Sequence, residues 1–189
     1  SFTFDGVNDY FTTGLFNSLN GLSEISVSLW VKPSGTSQVA IILSNPNSLT
    51  GSGNFQFAIG LLGNELRFLE GTNSKFIRTT SAPVSYNQWQ HVVISYSAPF
   101  ANIYVNDVPA LTTTNSTPTN LGSADDGLYI GKDRNGFWNS YAGLIDEVSF
   151  WNTALSSDAV TEIASGPNDL TNLTNASSSN LKAWYKMGE

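Results

Sequence analysis

The chain has no cysteine, one histidine and one methionine among its 189 residues. Disulfides, a thiolate nucleophile and a Cys/His zinc site are therefore excluded, and stability must come from packing, with or without a metal. Charge is scarce too: Asp, Glu, Lys and Arg make up 12% of the residues, about half the usual share. The eight bases nowhere cluster and the net charge is −7. Nothing is there to neutralise phosphates, so nucleic acid and anionic membrane are poor partners. No apolar run approaches the roughly 20 residues that span a bilayer, which argues against membrane insertion. Nor does a basic n-region followed by an apolar stretch open at Ser1, so the expectation is a mature, soluble piece of protein.

What is abundant is aromatic and small polar. Hydrophobic residues make up 40% and aromatics 12%, enough to bury one good core, and a single domain over residues 1–189 is expected. Because Ser, Thr, Asn and Gly replace charge on the surface, the composition suits an extracellular β-protein.

Short strands with Gly/Asn turns run along the chain. Phe2 and Phe4 share one face of an opening strand. Ile25 to Lys32 alternates, with Ile25, Val27, Leu29 and Val31 on one face and Ser26, Ser28, Trp30 and Lys32 on the other. Val39 to Leu43 is a continuous apolar run. Phe55 to Leu62 and Glu65 to Glu70 read as a hairpin on Gly63-Asn64, and Lys75 to Ser81 continues the meander. Trp89 to Tyr96 alternates, with Trp89, His91, Val93 and Ser95 opposite Val92, Ile94 and Tyr96. Ala101 to Val105 is turned by Asn106-Asp107, Thr112 to Asp126 reads as a loop, and Leu128 to Gly131 as a short strand. Ser156 to Ala164 is the one helix candidate: Ser156 caps it, Asp158 suits its first turn, Val160 and Ile163 form its apolar side and Gly166 stops it. After a polar linker, Leu181 to Met187 returns as a last strand, expected beside the first. The fold class is thus all-β: a two-sheet antiparallel jelly-roll sandwich with one short helix near the C-terminus.

Several segments in order strengthen this. They are Phe4-Asp5-Gly6-Val7-Asn8-Asp9-Tyr10, Ile25 to Pro33, Trp89 to Tyr96, Ile103-Tyr104-Val105-Asn106-Asp107, Leu128-Tyr129-Ile130-Gly131, and Gly143 to Val148 with Trp151-Asn152 and Ala154-Leu155-Ser156. Together the chain resembles the laminin-G-like, concanavalin A-like jelly-roll family. The last residues, Trp184-Tyr185-Lys186-Met187-Gly188-Glu189, resemble the strand that precedes the next module in multi-domain relatives, so the chain is expected to be cut from a longer surface or virion protein. Asp107 stands where that family often has Gly, a small departure because Asp tolerates turn conformations.

Chemistry is sought first at Leu144 to Trp151. Strict alternation puts Leu144, Asp146, Val148 and Phe150 on one face, with Asp146 the only carboxylate among apolar neighbours. A buried carboxylate must accept backbone N–H bonds, pair with a base or bind a cation. Asp5, Asn8 and Asp9 lie in one turn, and with Asp146 they form a hard-oxygen set suited to calcium, the ion the resemblance also implies. The competing reading is that Asp5 and Asp146 only accept backbone N–H groups. A second acidic group, Asp125, Asp126 and Asp133, reads as a solvated rim.

Catalysis finds little support. The related β-glucanases carry a Glu-x-Asp-x-x-Glu strand that has no match here, and adjacent Asp146 and Glu147 should point to opposite faces. Binding is better supported, in the loop holding Asp133, Arg134, Phe137, Trp138, Asn139 and Tyr141. Sugar C–H faces stack on aromatic rings, and sugar hydroxyls bond Asn, Asp and Arg, so the loop suits a glycan or a cell-surface protein. In the alternative, Trp138 tucks down to cap the sandwich. The expected function is a non-catalytic, extracellular, cell-surface or virion recognition module. The other readings are a structural fibre module or an auxiliary domain of a secreted carbohydrate-active enzyme, and other domains of the same chain are possible partners.

Overall fold

Alternating strands with one apolar face can bury that face only against another sheet, and the chain folds accordingly into two stacked sheets. The computed structural model describes residues 1–15, 17–46, 54–81, 83–114, 121, 127–134, 136, 138–166 and 169–188. In chain order the elements are β1 (Phe2–Asp5), β2 (Phe11–Leu15), β3 (Glu24–Pro33), β4 (Gln38–Pro46), β5 (Asn54–Gly63), β6 (Glu65–Thr79), β7 (Gln90–Ser97), β8 (Phe100–Val105), β9 (Val108–Ala110), β10 (Thr112–Thr114), β11 (Gly127–Ile130), β12 (Asn139–Ser140), β13 (Ala142–Trp151), α1 (Ser157–Ala164) and β14 (Leu181–Tyr185).

The first sheet runs β1-β13-β3-β7-β8-β9, with β14 also on β13. The second runs β10-β6-β5-β4-β11-β2, with the two-residue β12 added parallel to β4. All other pairings are antiparallel, so the expected jelly-roll sandwich is the fold. The last strand joins the same sheet as the first but does not pair with it. Both lie on one edge of β13, β1 opposite Ala142 to Ile145 and β14 opposite Val148 to Trp151. The interval between them is a bulge in β13.

The main core lies between the sheets and holds Val27, Leu29, Val31, Ile42, Leu43, Phe57, Phe68, Val92, Ile94, Ile145, Val148 and Phe150. Where strand and loop boundaries differ from the sequence reading, pairing is the reason. Glu65 to Thr79 is one strand because β5 and β10 hold it on both edges, and Thr112 to Thr114 is drawn out of the expected loop by Ile77 to Thr79. The Asn106-Asp107 turn closes the β8–β9 hairpin with both residues at positive φ, 52° and 58°. That is the two-residue turn that matches strand twist.

Two smaller apolar clusters cover the outer faces. On the first sheet, Ala159, Val160 and Ile163 of α1 pack with Val93, Tyr104, Trp151 and Leu155. Ser156 caps α1 by accepting the Ala159 N–H, and Gly166 follows at φ 72°. The helix needs a floor, and the serines supply it. Ser26 donates to the Thr153 carbonyl at 2.8 Å and accepts the Leu155 N–H at 2.9 Å, while Ser95 donates to the Leu155 carbonyl at 2.8 Å. The Ser26/Ser28 face, polar by alternation, is therefore a satisfied interface.

Candidate functional site

The predicted calcium set does not come together. Asp5 is paired with Ala142, and Asp146 lies four residues farther along β13, about 13 Å at strand rise. Asp5 Oδ1 accepts the N–H groups of Val7, Asn8 and Asp9, and Asp9 Oδ2 accepts the Asp5 N–H. These backbone donors hold the Asp5 carboxyl below its ordinary range. Among the described residues no three or more of His, Cys, Asp and Glu gather into a metal group. Asp5, Asn8, Asp9 and Asp146 therefore do not fit one shared ion. Asp125 and Asp126 lie outside the described residues.

The predicted binding loop is corrected as well. Trp138 is 8% exposed and packs on Ile41, Ala58 and Leu69, so it caps the outer face of the second sheet. Its backbone N–H donates to Asp133, itself buried. Tyr141 is wholly buried in the main core, where it donates to the Leu144 carbonyl and burial raises its hydroxyl pKa. Asn139 is exposed in β12 and Arg134 half-buried, whereas Phe137 lies outside the described residues. The loop aromatics that can be placed face inward, because the apolar face of β4 and β5 at Ile41 and Ala58 requires a cover.

The bulge inverts the expected faces of β13 before it, at Leu144 to Asp146, and leaves them as expected after it, at Val148 and Phe150. Ile145, Val148 and Phe150 point into the core, and Glu147 takes a left-handed backbone at φ 50°. A Glu held there is strained by on the order of 1–3 kcal/mol. The extra residue cancels the alternation, so Asp146 and Glu147 line the same depression instead of pointing apart. Asp146 Oδ1 accepts the Glu147 N–H at 3.0 Å, and Oδ2 lies 3.2 Å from the Ser1 amino group. Glu147 accepts the indole N–H of Trp184.

That depression, about 360 Å³, is walled by Trp30 and Trp89. Its position follows from element length. Eight residues of helix span about 12 Å, whereas the ten residues of β3 reach about 33 Å. Consequently α1 covers the end of the outer face around Ser26, Ser95 and Trp151 and leaves the end around Trp30 open. Trp89, just before β7, is 38% exposed and Trp30 is half-buried. A second depression of about 320 Å³ shares Trp30 with the first and is lined also by His91, Asn106, Asp107, Thr161, Ala164 and Ser165. His91 supports the Trp30 ring at a centroid distance of 5.2 Å, and its Nε2 is 2.8 Å from the Ser28 hydroxyl. Burial lowers its pKa to about 4, so it is neutral at physiological pH. The sequence already put Trp30 and Trp89 on the outer faces of β3 and the β7 segment. It carried no local sign of the bulge that turns two carboxylates toward them.

The sequence model of the concanavalin A-like lectin/glucanases superfamily matches residues 5–161. The chain belongs to this superfamily. Within the superfamily fold, the SAP-like pentraxin of Limulus polyphemus is similar with a TM-score of 0.65 at 19% identity, over 97% of this chain and 89% of that one. Domain 4 of the extracellular arabinanase AbnA of Geobacillus stearothermophilus, solved with arabinotriose, is similar with a TM-score of 0.64 at 24% identity, over 86% of this chain and 75% of that one. The sialidase of Trypanosoma rangeli gives 0.61 at 14% identity, and there 86% of this chain covers 27% of the enzyme. A comparison with curated proteins found no match. At these identities the solved structures attest the lectin-like sandwich.

Proposed function

We propose that this concanavalin A-like domain is a non-catalytic glycan-recognition module, and that it reads its ligand on the open outer face of the first sheet. The carrying observation is the pair of accessible indoles, Trp30 and Trp89, set around Asp146 and Glu147. Indole faces stack on sugar C–H faces, and the carboxylates accept hydroxyl hydrogen bonds, the pattern of a shallow sugar site. The arabinotriose in the similar arabinanase domain supports a carbohydrate ligand for a chain of this fold. Glu147 is tied to Trp184 and Asp146 to the Glu147 backbone, which suits fixed acceptors better than a mobile acid–base pair. On this reading the domain serves adhesion or targeting outside the cell, at a cell or virion surface.

A glycan array followed by titration calorimetry on the wild-type protein and Trp89→Ala tests the proposal. Loss of about tenfold or more in affinity, with an unchanged melting midpoint, is expected because Trp89 contributes stacking and little core. Binding that survives Trp89→Ala unchanged would remove this face as the site.

A further inference from the structure

Resting on that reading, we infer that the ligand is a chain of neutral sugars lying across Trp30 from one depression into the other, and not a single terminal sugar or an acidic one. Trp30 lines both depressions, so a chain that stacks on its ring has a place for a further unit in each. Each hollow is at the lower end of the roughly 300–1,000 Å³ typical of small-ligand sites, enough for one short segment. The second hollow carries more neutral polar side chains than the first. Its walls are Asn106 and Asp107 of the β8–β9 turn and Thr161 and Ser165 of the last turn and C-cap of α1, above the floor at His91. The ring at the junction is held in place, because His91 is 1% exposed and bonded to Ser28. A fixed aromatic ring shared by two hollows rewards a ligand that spans it.

Charge sets the ligand class. The ionisable groups lining the two hollows are Asp107, Asp146, Glu147 and the neutral His91. Lys32, two residues along β3, and Lys186, over the Trp184 ring, line neither. A uronate or sialic acid would bring its carboxylate against these three with no base among the lining residues and with Asp146 alone paired among the described residues, to the Ser1 amino group at 3.2 Å. Hydroxyl donors meet acceptors instead.

The test is titration of the wild-type protein with gluco-, xylo-, manno- and arabino-oligosaccharides of one to six units, beside oligogalacturonates of matched length. Affinity for the best neutral series should rise about tenfold or more from the monosaccharide to the trisaccharide or tetrasaccharide and then level off, with the matched uronates about tenfold weaker or worse. Thr161→Leu narrows the second hollow and should reduce the tetrasaccharide-to-disaccharide affinity ratio to near one. A monosaccharide as tight as the tetrasaccharide, or a uronate as tight as the neutral chain, overturns the inference while leaving glycan recognition standing. No binding by any probe overturns glycan recognition itself, and this inference with it.

Discussion

Acid should destabilise this protein through His91 as pH falls from about 6.5 toward 4. The imidazole is 1% exposed, Nε2 is bonded to Ser28, and Nδ1 has no partner among the described residues. Burial lowers its pKa from 6.5 to about 4, so the folded state resists a proton that the unfolded chain accepts near 6.5. The stabilisation is thus complete above about pH 6.5 and is lost as pH falls toward 4. At about 1.4 kcal/mol per unit, the full effect is about 3 kcal/mol, of which about 2.5 kcal/mol is gone by pH 4.5. Asp5, Glu162 and Asp169 have lowered pKa values set by hydrogen bonds to their carboxylates, and their stabilisation is lost only as pH falls below their unfolded values near 4. Urea unfolding at pH 7 and pH 4.5 isolates the histidine when the wild-type protein is compared with His91→Gln, which keeps a polar group near Ser28 and does not titrate. The wild-type protein should lose about 2.5 kcal/mol more than the variant over this interval. Equal losses would refute the buried neutral imidazole and the rigid support it gives Trp30.

Two further substitutions probe the architecture around the site. Trp138→Ala should cost about 3–5 kcal/mol in chemical unfolding, because the indole fills the cover over Ile41, Ala58 and Leu69; a change below about 1 kcal/mol would return it to the surface. Gly143→Ala should be destabilising by more than about 2 kcal/mol, since Gly143 has φ 142° and an added Cβ would stand 2.4 Å from the Lys32 carbonyl oxygen; a near-neutral melting midpoint would show that β13 and β3 can separate there.

The layered fold was legible because each strand stated its own face. Ile25 to Val31 and Val92 to Tyr96 alternate cleanly, and the Ser156 cap, the Val160/Ile163 pair and Gly166 marked the helix within one residue. Two kinds of information were not local. The first is what covers a face. Ser26 and Ser28 look solvent-facing until α1 is set on them, and the apolar run Val39 to Leu43, buried from Ala40 onward on both sides, was the available sign that something such as Trp138 must cover Ile41. The second is the bulge. Nothing in Leu144-Ile145-Asp146-Glu147-Val148 announces that Glu147 will take φ 50°. β1 and β14 end on either side of it, and their pairing with β13 sets the phase of each half independently. One inserted residue turned Asp146 away from the core and brought Glu147 round beside it.

The five indole N–H resonances of this protein, one for each tryptophan, offer the most direct test of where ligand is read. In a nitrogen–proton correlation spectrum, with peaks assigned by single Trp→Phe variants, addition of the best-binding oligosaccharide should shift Trp30 and Trp89. Trp138 and Trp151, both buried away from the two depressions, should stay in place. A spectrum in which Trp138 moves while Trp30 and Trp89 do not would move recognition to the loop before β13 and contradict the site described above.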